Sequence, residues 1–195
     1  MKIVTRDFFL RNVEIRVNGT IPQKAAILIA NHDNSWDPPL IISASKKIVH
    51  FFTANVLFKN ILKGSFLRLS EQIPVQSGKK TLNENGFSKA SYYLKKNEPV
   101  GIFPYPVDLI KKKRVLYTGV IRMIIENDVP IIPIRVKISE ARKSKSFYDV
   151  NFDKAFITIG KPLEGFREKC KKGMSEEYYL GLTKELMKHI NSLEC

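Results

Sequence analysis

The chain is poor in the residues that mark several common functional classes. It has two cysteines in 195 residues, Cys170 and Cys195. Two cysteines build neither a disulfide framework nor a cysteine-based metal motif, and they suit a reducing compartment. Cys195 is the last residue, a poor place for a positioned nucleophile. Histidine is equally scarce: His32, His50 and His189, none with a second ligand at standard metal-binding spacing, so no metal is expected. Long apolar runs are missing. The longest, such as Pro130–Ile134, fall far short of the roughly 18–20 residues that a bilayer core demands. The start, Met1–Asp7, has an acid too early for a signal peptide. Any membrane contact is therefore expected to be monotopic. Acids are few as well, 19 against 33 Lys and Arg, for a formal charge of +14. Such an excess suits nucleic acid, an anionic membrane surface or a phosphorylated substrate. The basic residues are scattered and no nucleic-acid motif is recognisable, so nucleic acid is not expected as a partner.

What is present fits one folded unit. Hydrophobic residues make up 44% of the chain, too many for disorder. The length predicts a single domain over residues 1–195 with a real core. Strand-like runs recur at Ala25–Ala30, Ile48–Thr53, Gln72–Val75, Pro99–Phe103, Ile131–Ile138 and Ala155–Ile159, each bounded by turn residues or a change of pattern. Helical spacing separates them. Phe87, Ala90 and Leu94 form one stripe; Val120, Ile124 and Asn127 form another. Tyr179, Leu182, Leu186, Ile190 and Leu193 mark a C-terminal helix, with Ser175 as its N-cap. Alternating strands and helices predict an α/β fold with a central, largely parallel or mixed sheet flanked by helices.

The stretch Asn31-His32-Asp33-Asn34-Ser35-Trp36-Asp37-Pro38-Pro39 follows the first of these strands. Loops at strand ends are where α/β proteins place chemistry. An imidazole is the usual general base near neutral pH. An aspartate on its other nitrogen fixes the tautomer and stabilises the imidazolium. His32 and Asp37 are five positions apart, too far for neighbours on a helix face, but a turn can bring them together. Ser35 sits in no nucleophile-elbow pattern, so the activated hydroxyl is expected to be the substrate's own. Taken alone, such a pair is more often a surface or capping feature, because short motifs recur by chance.

The order of several stretches narrows this reading. The sequence resembles the glycerolipid acyltransferase family, typified by 1-acylglycerol-3-phosphate acyltransferases, over about residues 13–163. The family's first motif is Asn-His, four variable residues, then Asp, matched here by Asn31, His32 and Asp37. VEIRVNGTIPQKAAILIANH runs like the family's lead-in strands, and ILKGSFLRLSEQIPV resembles its second block. VGIFPYP falls where its Phe-Pro-Glu-Gly stands. TGVIRMIIENDVPIIPI resembles its helix and Val-Pro-Ile-x-Pro strand, and ITIGKPL its closing strand and turn.

The resemblance implies an acyltransferase in phospholipid biosynthesis. His32 would deprotonate an acceptor hydroxyl as it attacks the thioester of acyl-coenzyme A or acyl carrier protein, with Asp37 orienting the imidazole. No cofactor beyond the acyl donor is implied, and a lysophospholipid is the implied acceptor. The resemblance assigns substrate contacts to Ser77, Phe103, Pro104 and Tyr105, and Lys79 and Lys80 join them as cations near in sequence. The match is imperfect there. Tyr105 stands in place of the family's glutamate and Pro106 in place of its glycine. Val107 and Asp108 replace a frequent Thr and Arg, and Ser77 stands where an arginine is frequent. Losing that arginine removes a bidentate phosphate fork that a lysine does not reproduce. Lys79, Lys80 or the Lys111–Arg114 run would have to replace it. Otherwise the acceptor is another lysolipid, an amino-lipid or a specialised metabolite, or the fold binds lipid without catalysis.

The segment Val56–Arg68 mixes apolar and basic residues. Leu57, Ile61 and Leu62, flanked by Lys59 and Lys63, suit an interfacial helix, an acyl-tunnel wall or a core-facing helix. Phe8-Phe9-Leu10-Arg11 has the same ambiguity. A cytoplasmic protein bound peripherally to an anionic membrane is expected.

Overall fold

The computed structural model describes residue 10 and residues 12–76, 84–105, 116–139 and 150–194. Seven strands form its sheet: β1 (Glu14–Asn18), β2 (Ile27–Ala30), β3 (His50–Ala54), β4 (Ile73–Val75), β5 (Val100–Ile102), β6 (Ile131–Ile138) and β7 (Lys154–Ile159). They lie in the order β1-β7-β6-β2-β5-β3-β4. Every neighbouring pair is parallel except β6 and β7, which are antiparallel. The helices are α1 (Asp37–Ala44), α2 (Ile61–Leu69), α3 (Glu84–Lys95), α4 (Gly119–Glu126), α5 (Phe166–Lys169) and α6 (Glu176–Ser192), with a 3-10 turn at Asn55–Lys59. The chain is thus α/β with a mixed, mostly parallel central sheet flanked by helices.

β2 explains the layering. All four of its residues are buried, as expected for a central parallel strand covered on both faces. Its side chains alternate between two cores. Ile27 and Ile29 join a cluster with Phe87, Ala90 and Leu94 of α3, Val120 and Ile124 of α4, and Leu182, Leu186 and Ile190 of α6. Leu28 and Ala30 join a second cluster with Leu40, Ile41 and Ile42 of α1 and Phe51 of β3. The two apolar stripes of α3 and α6 therefore face one side of the sheet, as their spacing predicts. Asn127 departs from its expected place in a stripe. It is the C-cap of α4, and its amide donates to the Met123 carbonyl at 3.0 Å. Ser175 caps α6 as expected, accepting from the Tyr178 amide at 3.2 Å.

β1 was anticipated only through the resemblance of its stretch. Glu14 and Arg16 alternate with Ile15 and Val17, and most of the strand is exposed at the sheet edge. The segment around Val56–Arg68 also differs from a simple core-facing helix. Phe58 is buried and Gly64 packs closely beneath it, but Val56, Ile61 and Leu69 are 65%, 83% and 79% exposed.

Candidate active site

His32 lies just beyond the C-terminal end of β2, and two adjacent structures fix its loop. Asn31 is buried, and its side chain extends the sheet where β2 stops. Its Oδ1 accepts from the Val136 amide at 2.7 Å, and its Nδ2 donates to the Val136 carbonyl at 2.8 Å. The side chain thus imitates a strand partner for β6. Nδ2 also donates to Asp33 at 2.7 Å. Asn31 carries no predicted role of its own in the sequence; only the topology that sets β6 beside β2 reveals it.

Asp37 closes the loop from the other side. It opens α1, followed by Pro38 and Pro39. Prolines fit the first helical turn because amide donors there have no intrahelical acceptor. The Asp37 carboxylate reaches back over the turn. Oδ2 accepts from the Asp33 and Asn34 amides, each at 2.8 Å, and lies 3.1 Å from His32 Nδ1. This answers how residues five apart meet: the intervening turn wraps around the carboxylate. Asp37 is 1% exposed. Burial pushes its carboxyl above the ordinary value, against the opposing pull of the His32 hydrogen bond and the two amides.

His32 keeps 16% of its side chain exposed. Among the described residues, its Nε2 has no hydrogen-bond partner. With a carboxylate at Nδ1, the neutral ring carries its proton there and its lone pair on Nε2. The ring also lies flat against Phe103, with centroids 4.0 Å apart and planes at 18°. Phe103 stacks in turn on Phe51 at 5.1 Å. Gly101 makes room for this platform: a Cβ there would lie 2.1 Å from the Phe51 ring. The carboxylate, the aromatic wall and the turn together restrict the imidazole to one orientation.

The remaining sequence-assigned contacts separate. Phe103 forms a wall against the His32 imidazole. Pro104 is buried, and its carbonyl accepts from the Tyr117 amide at 2.6 Å. Tyr105 was expected to face the same pocket as His32. It is buried in the cluster of the first sheet face, with Ile102, Phe87 and Val120, whereas Phe103 packs with the second. Regular alternation would keep residues two apart on one face; β5 ends at Ile102 and the chain bends at 104–105, which sends the two rings to opposite faces. Ser77, Lys79, Lys80 and the Lys111–Arg114 run lie outside the described residues. Cys170 is no competing nucleophile, since it is buried and burial pushes its thiol up to about 11.

The acyltransferase family model, described simply as Acyltransferase, matches residues 12–137, which contain both His32 and Asp37. No curated protein matches the sequence. Among solved structures, the chain is similar to the 1-acyl-sn-glycerophosphate (LPA) acyltransferase PlsC from Thermotoga maritima. The TM-score is 0.64 at 17% identity, with 100% of this chain and 79% of that one covered. That similarity concerns the fold, and the match of the family model concerns the sequence itself. The chain belongs to the acyltransferase family, with the fold of a glycerolipid acyltransferase.

Proposed function

We propose that this protein transfers an acyl group from acyl-coenzyme A or acyl carrier protein to a hydroxyl of a lysophospholipid such as 1-acylglycerol-3-phosphate. The observation that carries the reading is the asymmetry of His32. One ring nitrogen faces the buried Asp37 carboxylate, and the other is left to a substrate. Nε2 takes the proton of the acceptor hydroxyl as its oxygen attacks the thioester carbonyl. The imidazolium that forms is stabilised by Asp37. As the tetrahedral intermediate collapses, the C–S bond breaks and the departing thiolate receives that proton. The ester and the free thiol leave, and His32 is neutral again. The intact relay favours this over a lapsed, lipid-binding role.

A shifted preference is favoured by what the chain lacks: Tyr105 is turned into the opposite apolar cluster and offers no charge beside His32, and Ser77 supplies no fixed cation. Lysophosphatidate is then used well only if lysines such as Lys79 and Lys80 hold its phosphate. Mass-spectrometric detection of products from several lysolipids, each with acyl-coenzyme A and acyl carrier protein donors, tests the reading. Transfer to at least one lysolipid is expected. A folded protein that acylates none, with either donor, removes the enzymatic reading. Strong preference for lysophosphatidate that Ser77→Arg does not improve removes the argument about the acceptor.

Peripheral membrane binding belongs to the same proposal. No helix among the described residues is long and apolar enough to cross a membrane. Val56, Ile61 and Leu69 instead present apolar side chains to solvent beside the exposed Lys59 and Arg68. Apolar insertion and cationic attraction together suit an anionic headgroup layer. Binding should exceed that to neutral vesicles and weaken with salt. Equal binding to both would remove the electrostatic part.

A further inference from the structure

The second buried imidazole lies at the other end of the sheet. His50 begins β3, Glu71 precedes β4 and Glu98 precedes β5. The three adjacent parallel strands bring together residues 21 and 48 positions apart. Sequence spacing therefore gave no sign of a shared site. His50 is fully buried. Its Nδ1 lies 3.0 Å from the Glu71 carbonyl, and its Nε2 lies 3.0 Å from Glu98 Oε2. A backbone carbonyl only accepts, so Nδ1 carries the proton. In the neutral ring, Nε2 then points a lone pair at a carboxylate. Two acceptors face each other and need a cation between them.

The surroundings specify what kind. One ring nitrogen of His50 and one carboxylate oxygen each of Glu71 and Glu98 lie within 4.8 Å of one another. Ligands bound at the usual zinc distances sit about 3.4 Å apart around a tetrahedral ion, close to the Nε2–Oε2 separation. Nδ1–H donation to a carbonyl is the arrangement that orients metal-bound histidines. Glu71 is exposed and Glu98 partly so, leaving an entry path and room for water ligands. The Tyr93 ring stacks on His50 with centroids 3.6 Å apart and planes at 3°.

We propose that His50 Nε2, Glu71 and Glu98 bind one divalent transition-metal ion of the zinc class, bracing the N-terminal ends of β3, β4 and β5. The ion is structural: β5, three residues long, separates it by about 10 Å of strand from the edge that carries His32. An imidazole with two carboxylates favours Zn²⁺ over Mg²⁺.

The test uses the untagged full chain, stripped with a chelator and titrated with Zn²⁺ or Mg²⁺ by calorimetry, with Tm recorded alongside. One equivalent of Zn²⁺ per chain and a raised Tm are expected, with Mg²⁺ ineffective at the same concentration. Glu98→Gln and Glu71→Gln, both at accessible positions, should each weaken Zn²⁺ binding by roughly tenfold or more. The proposal is overturned if the wild type binds no stoichiometric Zn²⁺, or if both variants bind it unchanged. It is also overturned if Zn²⁺ leaves Tm unmoved while Glu98→Gln lowers it, because a proton then joins His50 to Glu98.

Discussion

His32 and His50 are the same side chain put to different uses at opposite ends of one sheet. Each has a carboxylate oxygen about one hydrogen bond away, at 3.1 Å and 3.0 Å, and each stacks on an aromatic ring. His32 spends only Nδ1 on the protein and stays partly exposed. His50 spends both nitrogens and is sealed. A carboxylate beside an imidazole therefore does not by itself identify a base. In the proposed reaction it is the nitrogen left for a substrate that gives His32 the role of base. His50 can hold strands together but has no site from which to take a substrate's proton.

Substitutions at the two ends sharpen this contrast. The largest effect on turnover is expected at His32. His32→Ala should lower kcat/KM by roughly 10³–10⁴-fold, the usual range for a lost general base, with Tm nearly unchanged because the ring is no part of the core. Asp37→Asn comes next. Asparagine keeps the shape of the turn but no longer stabilises the imidazolium, so a loss of about 10²–10³-fold is expected. A rate near wild type in that variant would show that Asp37 merely caps the loop. Asn31→Ala should act mostly on folding. It leaves the Val136 amide and carbonyl without their side-chain partners, at a cost of about 1–3 kcal/mol, and loosens the loop beneath His32. Urea unfolding measures the first effect and kcat/KM the second; no change in either would remove Asn31 from the account.

The smallest effect concerns pH. The Asp37 carboxyl is raised in the folded chain, chiefly by burial. The folded state thus holds that proton more readily than the unfolded one. Stability from this group is complete below the ordinary aspartate pKa of about 3.9 and is lost as pH rises through the raised folded value. Asp37→Asn has nothing to titrate there. Relative to the variant, the wild type should lose stability as pH rises across that window. A difference that runs the other way would mean that the hydrogen bonds to Asp37 outweigh its burial.

Much of the frame was legible in the sequence because local pattern dictates it. Residues 131–138 have the length and β-branched content of a strand, and they form β6 over that range. Ser175 is followed by two acids and a stripe, and it caps α6. The Asn-His-x4-Asp spacing likewise pointed to a meeting of His32 and Asp37, and the turn between them brings the two within 3.1 Å. Contacts set by strand order were not legible. Nothing in Asn31 announces Val136, which lies 105 residues away. Nor does His50 announce Glu98. Tyr105 was assigned by position in a motif, whereas the bend that follows the short strand β5 decided which face it entered. The antiparallel turn of β7 against β6 also leaves no periodic trace, since both directions give the same alternation of side chains.

The contrast between the two histidines is tested most directly by measuring acyl transfer and Tm side by side in His32→Ala and His50→Gln. The account predicts a crossing. His32→Ala keeps its Tm within a few degrees and loses transfer by about 10³-fold or more. His50→Gln loses Tm by several degrees, while its folded fraction turns over near the wild-type rate. Normal turnover by folded His32→Ala, or complete loss of transfer in folded His50→Gln, would contradict it.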